Sequence, residues 1–393
     1  MDFISRRRLL TTAAALPLAI PLALPLGPGA LRAASVPRTL ILVELNGGND
    51  GLNTVVPYRE AAYYRARPTL AVPADRVLQL DQALGLHPAL EPLMPAWRDK
   101  DLAIALGVGY PSPNRSHFRS IEIWNTASDS AEVLHQGWLH QALQEAGEQA
   151  SGAGRLGIVL GGATGPLAGD ALTTVVMKNR QQLARAAGLP ENQSAASGNP
   201  ALDHILSVRR QTHDAANRIA ARLAKSSPLK TVFPKTSLGR QLAQAAAMIA
   251  GAVPASVIKV QQGGYDTHAG QAGRHPRLLG ELAAALAAFR EALIETGSWQ
   301  RCLVMTYAEF GRRVGENASG GTDHGTAAPH LFMGARLRGG LLGRQPSLTD
   351  LEDGDLRHSL DFRRLYASVA ADWLGLPRGL TAFGPQPPLD LFT

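Results

Sequence analysis

Apolar residues come in short unbroken runs that end in glycine-rich or polar turns. Residues 38–45 (RTLILVEL) run into Asn46-Gly47-Gly48-Asn49-Asp50-Gly51, the pattern of a buried strand followed by a sharp turn. Residues 101–108 (DLAIALGV), 255–261 (ASVIKVQ) and 302–307 (CLVMTY) read the same way, and 330–333 reads as a short fifth strand. Between them, apolar positions recur at helical spacing over 88–100, 116–126, 201–225, 238–252 and 275–296. Strands alternating with helices predict an α/β fold with a mainly parallel central sheet and helices on both faces. Residues 147–199 are rich in Gly and Ala with weak periodicity, and 194–200 reads as a surface loop. The Ala-rich block 201–252 reads as a pair of helices. One domain over 34–393, with a mostly helical insertion at about 184–252, is therefore expected.

Composition narrows the class. With 45% apolar and 18% charged residues, a sizeable core is available and wholesale disorder is excluded. A single cysteine, Cys302, excludes a disulfide framework and a thiolate zinc cluster. The formal net charge of +7 comes from scattered arginines, without a basic run beyond the N-terminus or an aromatic stacking motif. Nucleic acid is therefore not an expected partner.

The N-terminus reads as an export signal. Ser5-Arg6-Arg7-Arg8-Leu9-Leu10 carries an arginine pair, an apolar run follows to about Leu26, and a small-residue stretch closes at Ala33-Ala34. That order is a bacterial twin-arginine signal peptide over 1–33. Pro17, Pro21 and Pro25 disfavour a spanning helix in the same run. The expected location is periplasmic or secreted, with no stable membrane span in the mature chain.

Polar residues then collect just after the strands. Asn46 and Asp50 follow the first, and Arg115, Ser116 and His117 lie in the loop after the second. Asp266 and His268 follow the 255–261 strand, Glu309 follows the 302–307 strand, and Asp323 and His324 lie in the next loop. In a parallel sheet, ligands bind at the carboxyl ends of strands. Oxygen and imidazole groups on separate loops are how a divalent ion is held without cysteine. Each residue also has a plainer reading. Asp266 and Asp50 suit Asx turns, Glu309 suits a helix start, and His117 suits a structural role beside a helix start. His87 and His275 are weaker candidates, and the remaining histidines read as structural.

Several separate motifs carry a family resemblance. LVELNGGNDGLNTVVPY (42–58), RPTL (67–70), GLHPAL (85–90), GVGYPSPNRSHFRSIEIW (107–124), GGYDTHAGQ (263–271), EFGRRVGEN (309–317) and GTDHGTAAPHLFMG (321–334) resemble the bacterial family catalogued as domain of unknown function 1501. That family is similar to a distant branch of the alkaline phosphatase and sulfatase superfamily. The resemblance implies an alkaline phosphatase-like α/β domain with metals at its strand ends, zinc first, with manganese or calcium as alternatives. By it, Asp266, His268 and His324 form one metal site. A second, altered site falls on Asn46, Asp50 and Glu309, with Phe310 where a ligand would stand. An alternative alignment places Asp323 and His324 on the superfamily's Asp-His pair and His330 on its last histidine. The superfamily's nucleophile falls on Ser116, with Ser112 and Thr54 as rivals and with Arg115 and His117 completing the catalytic set. The Cys modification motif of sulfatases is absent, since the lone Cys302 lies in a predicted strand far away, which argues against a formylglycine sulfatase. The implied activity is exported, metal-dependent hydrolysis of small phosphate or sulfate esters. The competing reading is a non-catalytic binding or assembly protein that keeps the fold with a degraded metal centre.

Overall fold

The computed structural model describes residues 38–150, 155–179, 182 and 198–393. The signal peptide expected over 1–33, and part of the insertion expected from about 184, lie outside them. A nine-stranded sheet organises the chain: β1 (Thr39–Asn46), β2 (Leu102–Gly109), β3 (Leu156–Val159), β4 (Thr173–Val176), β5 (Val257–Gly263), β6 (Cys302–Tyr307), β7 (Ala328–Met333), β8 (Gly340–Leu342) and β9 (Leu360–Asp361). The order is β8-β2-β7-β6-β1-β5-β3-β4, and β9 also pairs with β2. Within this sheet the pairings are parallel except those of β7, which runs antiparallel to both β2 and β6.

Alternation along β1 shows how the layers form. Ile41, Val43 and Leu45 face one core; Leu40 and Leu42 face the other, as side chains on successive strand residues must. The first core is closed by helices that include Pro200–Lys225, Ser237–Ala250 and Gln271–Glu295. The second is closed by α1 (His117–Thr126), Trp138–Ala146 and Phe362–Ser368. Helices therefore cover both faces, as the sequence pattern predicts.

Some elements differ from the expectation. The helix expected over 88–100 is a 3-10 turn, Pro88–Leu93, followed by a short α-helix, Met94–Arg98. Pro92 and Pro95 remove backbone donors there and prevent one continuous helix. The described part of the 147–199 stretch contributes two sheet strands, β3 and β4. Its glycines, such as Gly157 packed against Leu167, hid the strand signal.

Register brings the loops together. Asn46 at the end of β1 pairs with Gly263 at the end of β5, and Glu44 pairs with Tyr307 at the end of β6. Ala328, the first residue of the antiparallel β7, pairs with Val108 near the end of β2. The loops beginning at residues 47, 110, 264 and 308 therefore emerge along one edge.

Candidate metal centre

Two glycines let these loops touch. Gly47 has φ +116°, and a Cβ there would lie 2.4 Å from the Asp266 nitrogen. A Cβ on Gly321 would lie 2.3 Å from the His268 carbonyl carbon. Only glycine tolerates such approach and such dihedrals.

Asp266 is the meeting point. Its Oδ1 lies 3.0 Å from His268 Nε2, 3.3 Å from His324 Nε2 and 2.7 Å from Arg312 Nη2. Its Oδ2 lies 3.6 Å from His117 Nε2. The two imidazole nitrogens of His268 and His324 face each other at 3.0 Å. One ligand atom each from His117, Asp266 and His324 falls within 4.8 Å of the others.

The opposite ring nitrogen of each histidine fixes its tautomer. His324 Nδ1 is 2.8 Å from the Arg115 carbonyl, which can only accept. His268 Nδ1 is 3.0 Å from Asp323 Oδ1, an oxygen also bonded by the Asn317 amide. His117 Nδ1 is 2.7 Å from Glu309 Oε1, which also accepts from the Gly47 N–H at 2.9 Å. All three rings therefore donate through Nδ1. In the neutral ring, Nε2 then carries a lone pair, and three Nε2 atoms turn toward one carboxylate. His268 Nε2 and His324 Nε2 face each other as acceptors at 3.0 Å with no proton to share, beside an Asp266 Oδ1 that accepts from Arg312. Such a set is stable only when a cation or an extra proton joins it. Imidazole and carboxylate donors, each held by a partner behind it, suit zinc or a similar divalent ion.

Electrostatics agree with the geometry. Partial burial raises the Asp266 carboxyl pKa, but the Arg312 hydrogen bond and charge outweigh it, and with His324 and His268 they hold the group at about 2. Burial lowers the His324 pKa, favouring the neutral ring that can bind an ion. Hydrogen bonds from Asn317 and His268 hold Asp323 below its ordinary value.

The expected site residues take up distinct places. Asp266, His268 and His324 come together, and His117, expected in the catalytic set, joins them as a fourth donor. Glu309 and Asp323, expected among the ligands, stand behind His117 and His268 instead. Asp50 is engaged elsewhere. Both of its oxygens bind Arg67, at 2.6 and 2.9 Å, and the Gln271 amide adds a further bond. Burial raises the Asp50 pKa, but Arg67 more than compensates and lowers it. Asn46 directs its amide to Glu44 at 3.2 Å. His330 is buried beside Trp124, with burial lowering its pKa to about 3. Phe310 offers no ligand atom; its ring lies 4.9 Å from that of His117 and 4.5 Å from that of His324, holding both in place.

Ser116 is the N-cap of α1, yet its side chain makes no capping hydrogen bond. Its residue is exposed, and it precedes His117 directly. The Arg115 guanidinium forms an ion pair with buried Asp355. Both line a cavity of about 520 Å³ that Phe310 borders as well. Two functional residues escape the sequence reading. Arg312 follows Glu309 by three positions, and Asn317 precedes Asp323 by six; only their nearness to singled-out residues signals them.

A family model described as protein of unknown function (DUF1501) matches residues 37–377. No curated protein matches the sequence. Among solved structures, the chain is similar to the lipoteichoic acid synthase LtaP from Listeria monocytogenes, at 10% identity and TM-score 0.38, covering 90% of this chain and 75% of that one. It is also similar to the C-terminal periplasmic domain of EcEptC from Escherichia coli in complex with Zn, at 11% identity and TM-score 0.37, covering 89% and 87%. A third is the phosphonate monoester hydrolase SpPMH from Silicibacter pomeroyi, at 12% identity and TM-score 0.36, covering 90% and 76%.

Proposed function

We propose, for a chain that belongs to the DUF1501 family, the metal-dependent hydrolysis of small phosphate or sulfate esters, or a related anion transfer, after export through the twin-arginine route. One observation carries the reading: three imidazoles, each backed through Nδ1, aim their Nε2 atoms at the carboxylate of Asp266. His117, Asp266, His268 and His324 would hold the ion, zinc by the donor set, with manganese or calcium as alternatives. When bound, such an ion supplies a Lewis acid for the oxygens of an anionic ester.

The chain's own groups do the rest. The N-terminus of α1 presents free N–H groups and the positive end of its dipole to an anion. Ser116, the N-cap residue at that terminus and unused as a cap, is the nucleophile of this reading. Glu309 keeps the His117 ring in its donor-inward tautomer. Arg115 orients His324 through its carbonyl, and its side chain lines the adjacent cavity.

A second reading has an observation of its own. The Arg115 guanidinium is already paired with Asp355, as suits a non-catalytic binding or assembly protein. Turnover separates the two. Zinc-loaded protein should hydrolyse aryl phosphate or aryl sulfate, lose that activity to a chelator, and fall by about 10³-fold or more in Ser116→Ala. Metal binding without turnover on either ester class would favour the binding protein.

A further inference from the structure

Beside the four converging donors lies a second gathering of oxygens, and it is already filled. The Arg312 side chain is fully buried. Its Nε donates to the Gly48 carbonyl at 2.7 Å and its Nη1 to the Thr322 carbonyl at 2.8 Å. Its Nη2 donates to the carbonyls of Gly47 and Tyr265 and, at 2.7 Å, to Asp266 Oδ1. Four carbonyls from three loops and one carboxylate thus surround a single cation. Carbonyl and carboxylate oxygens are the ligand types that a hard metal ion takes. A guanidinium, always charged and with five donors in a fixed fork, can stand in their midst permanently.

We infer that Arg312 is a built-in cation in the place of a second metal ion, so that the centre takes one ion per chain. The inference rests on the metal-centre reading above. Three other carboxylates are likewise paired with a built-in cation: Asp50 with Arg67, Glu44 with Lys259 and Asp355 with Arg115. Arg312 also ties up Oδ1 of Asp266, so the carboxylate meets an incoming ion with its orientation already set.

Counting ions tests this. Folded wild-type protein, loaded with zinc, freed of excess by dialysis and kept in calcium-containing buffer, should carry one zinc and no calcium by elemental analysis. Arg312→Ala exposes the oxygen cradle. It should bind one calcium and show a melting temperature that rises with added calcium, which wild type should not show. Two ions in wild type overturn the inference but leave the metal reading standing. Folded Arg312→Ala that ignores calcium overturns it as well. No ion at all in folded wild type overturns the metal reading itself. If Arg312→Ala folds in neither buffer, the wild-type count decides.

Discussion

The Asp323 carboxylate bonds the His268 ring and so decides which nitrogen of that ring faces Asp266. Removing such a backing group weakens metal binding by about 10–100-fold in known sites. Asp323→Ala should therefore lower zinc affinity by that factor, measured by chelator competition, with an unchanged circular dichroism spectrum. Sequence made the acids and histidines visible but not their order. Asp323 and His324 are neighbours in the chain, yet only His324 turns inward, because the Arg115 carbonyl captures its Nδ1. No local spacing encodes a contact between residues 115 and 324. His117 shows the same limit: its role depends on Glu309, 192 positions away.

Residues also set a pH response outside the metal centre. Burial lowers the His87 and His275 pKa values to about 4 and that of His330 to about 3. The unfolded chain, with ordinary histidine pKa values near 6.5, then binds more protons than the folded chain as pH drops below that value. Stability must fall as pH is lowered from about 6.5 toward 4, and recover fully above it. Urea midpoints across that range should show the decline. His330→Phe, which removes one of the three groups, should make it shallower.

At the scale of elements, the buried pair Asp50–Arg67 holds the turn after β1 against the segment bearing the RPTL motif. Both side chains are fully buried, and Arg67 also donates to the carbonyls of Arg313 and Val314. Leaving Asp50 unpaired in that setting costs about 3–5 kcal/mol. Arg67→Met should lower the unfolding free energy by about that amount in urea titration. It should leave zinc affinity much closer to wild type than Asp323→Ala does, because Asp50 is not a ligand. Asp50 looked like a ligand in sequence because it follows a strand in a glycine-rich turn. The same turn belongs to an architectural ion pair whose partner lies 17 positions on. Long apolar strands such as β1, β5 and β6 were plain from their runs of Leu, Ile and Val. The antiparallel direction of β7 was not, since direction depends on what precedes and follows a strand rather than on its own side chains.

For the whole molecule, no helix among the described residues is long and apolar enough to cross a membrane. Export through the twin-arginine route predicts that replacing Arg6 and Arg7 with Lys leaves the precursor in the cytoplasm. Cell fractionation would show this, and normal export of the variant would point to the general secretory route. A centre drawn from the loops after β2, β5 and β6 can form only in the folded chain, which suits a route that carries folded proteins. Its most direct test is zinc X-ray absorption on the zinc-loaded, folded protein. Three imidazoles and one carboxylate at about 2.0–2.2 Å are predicted, with the imidazole count dropping by one in His268→Ala. A folded protein that binds no zinc, or a zinc shell unchanged in that variant, would contradict the centre.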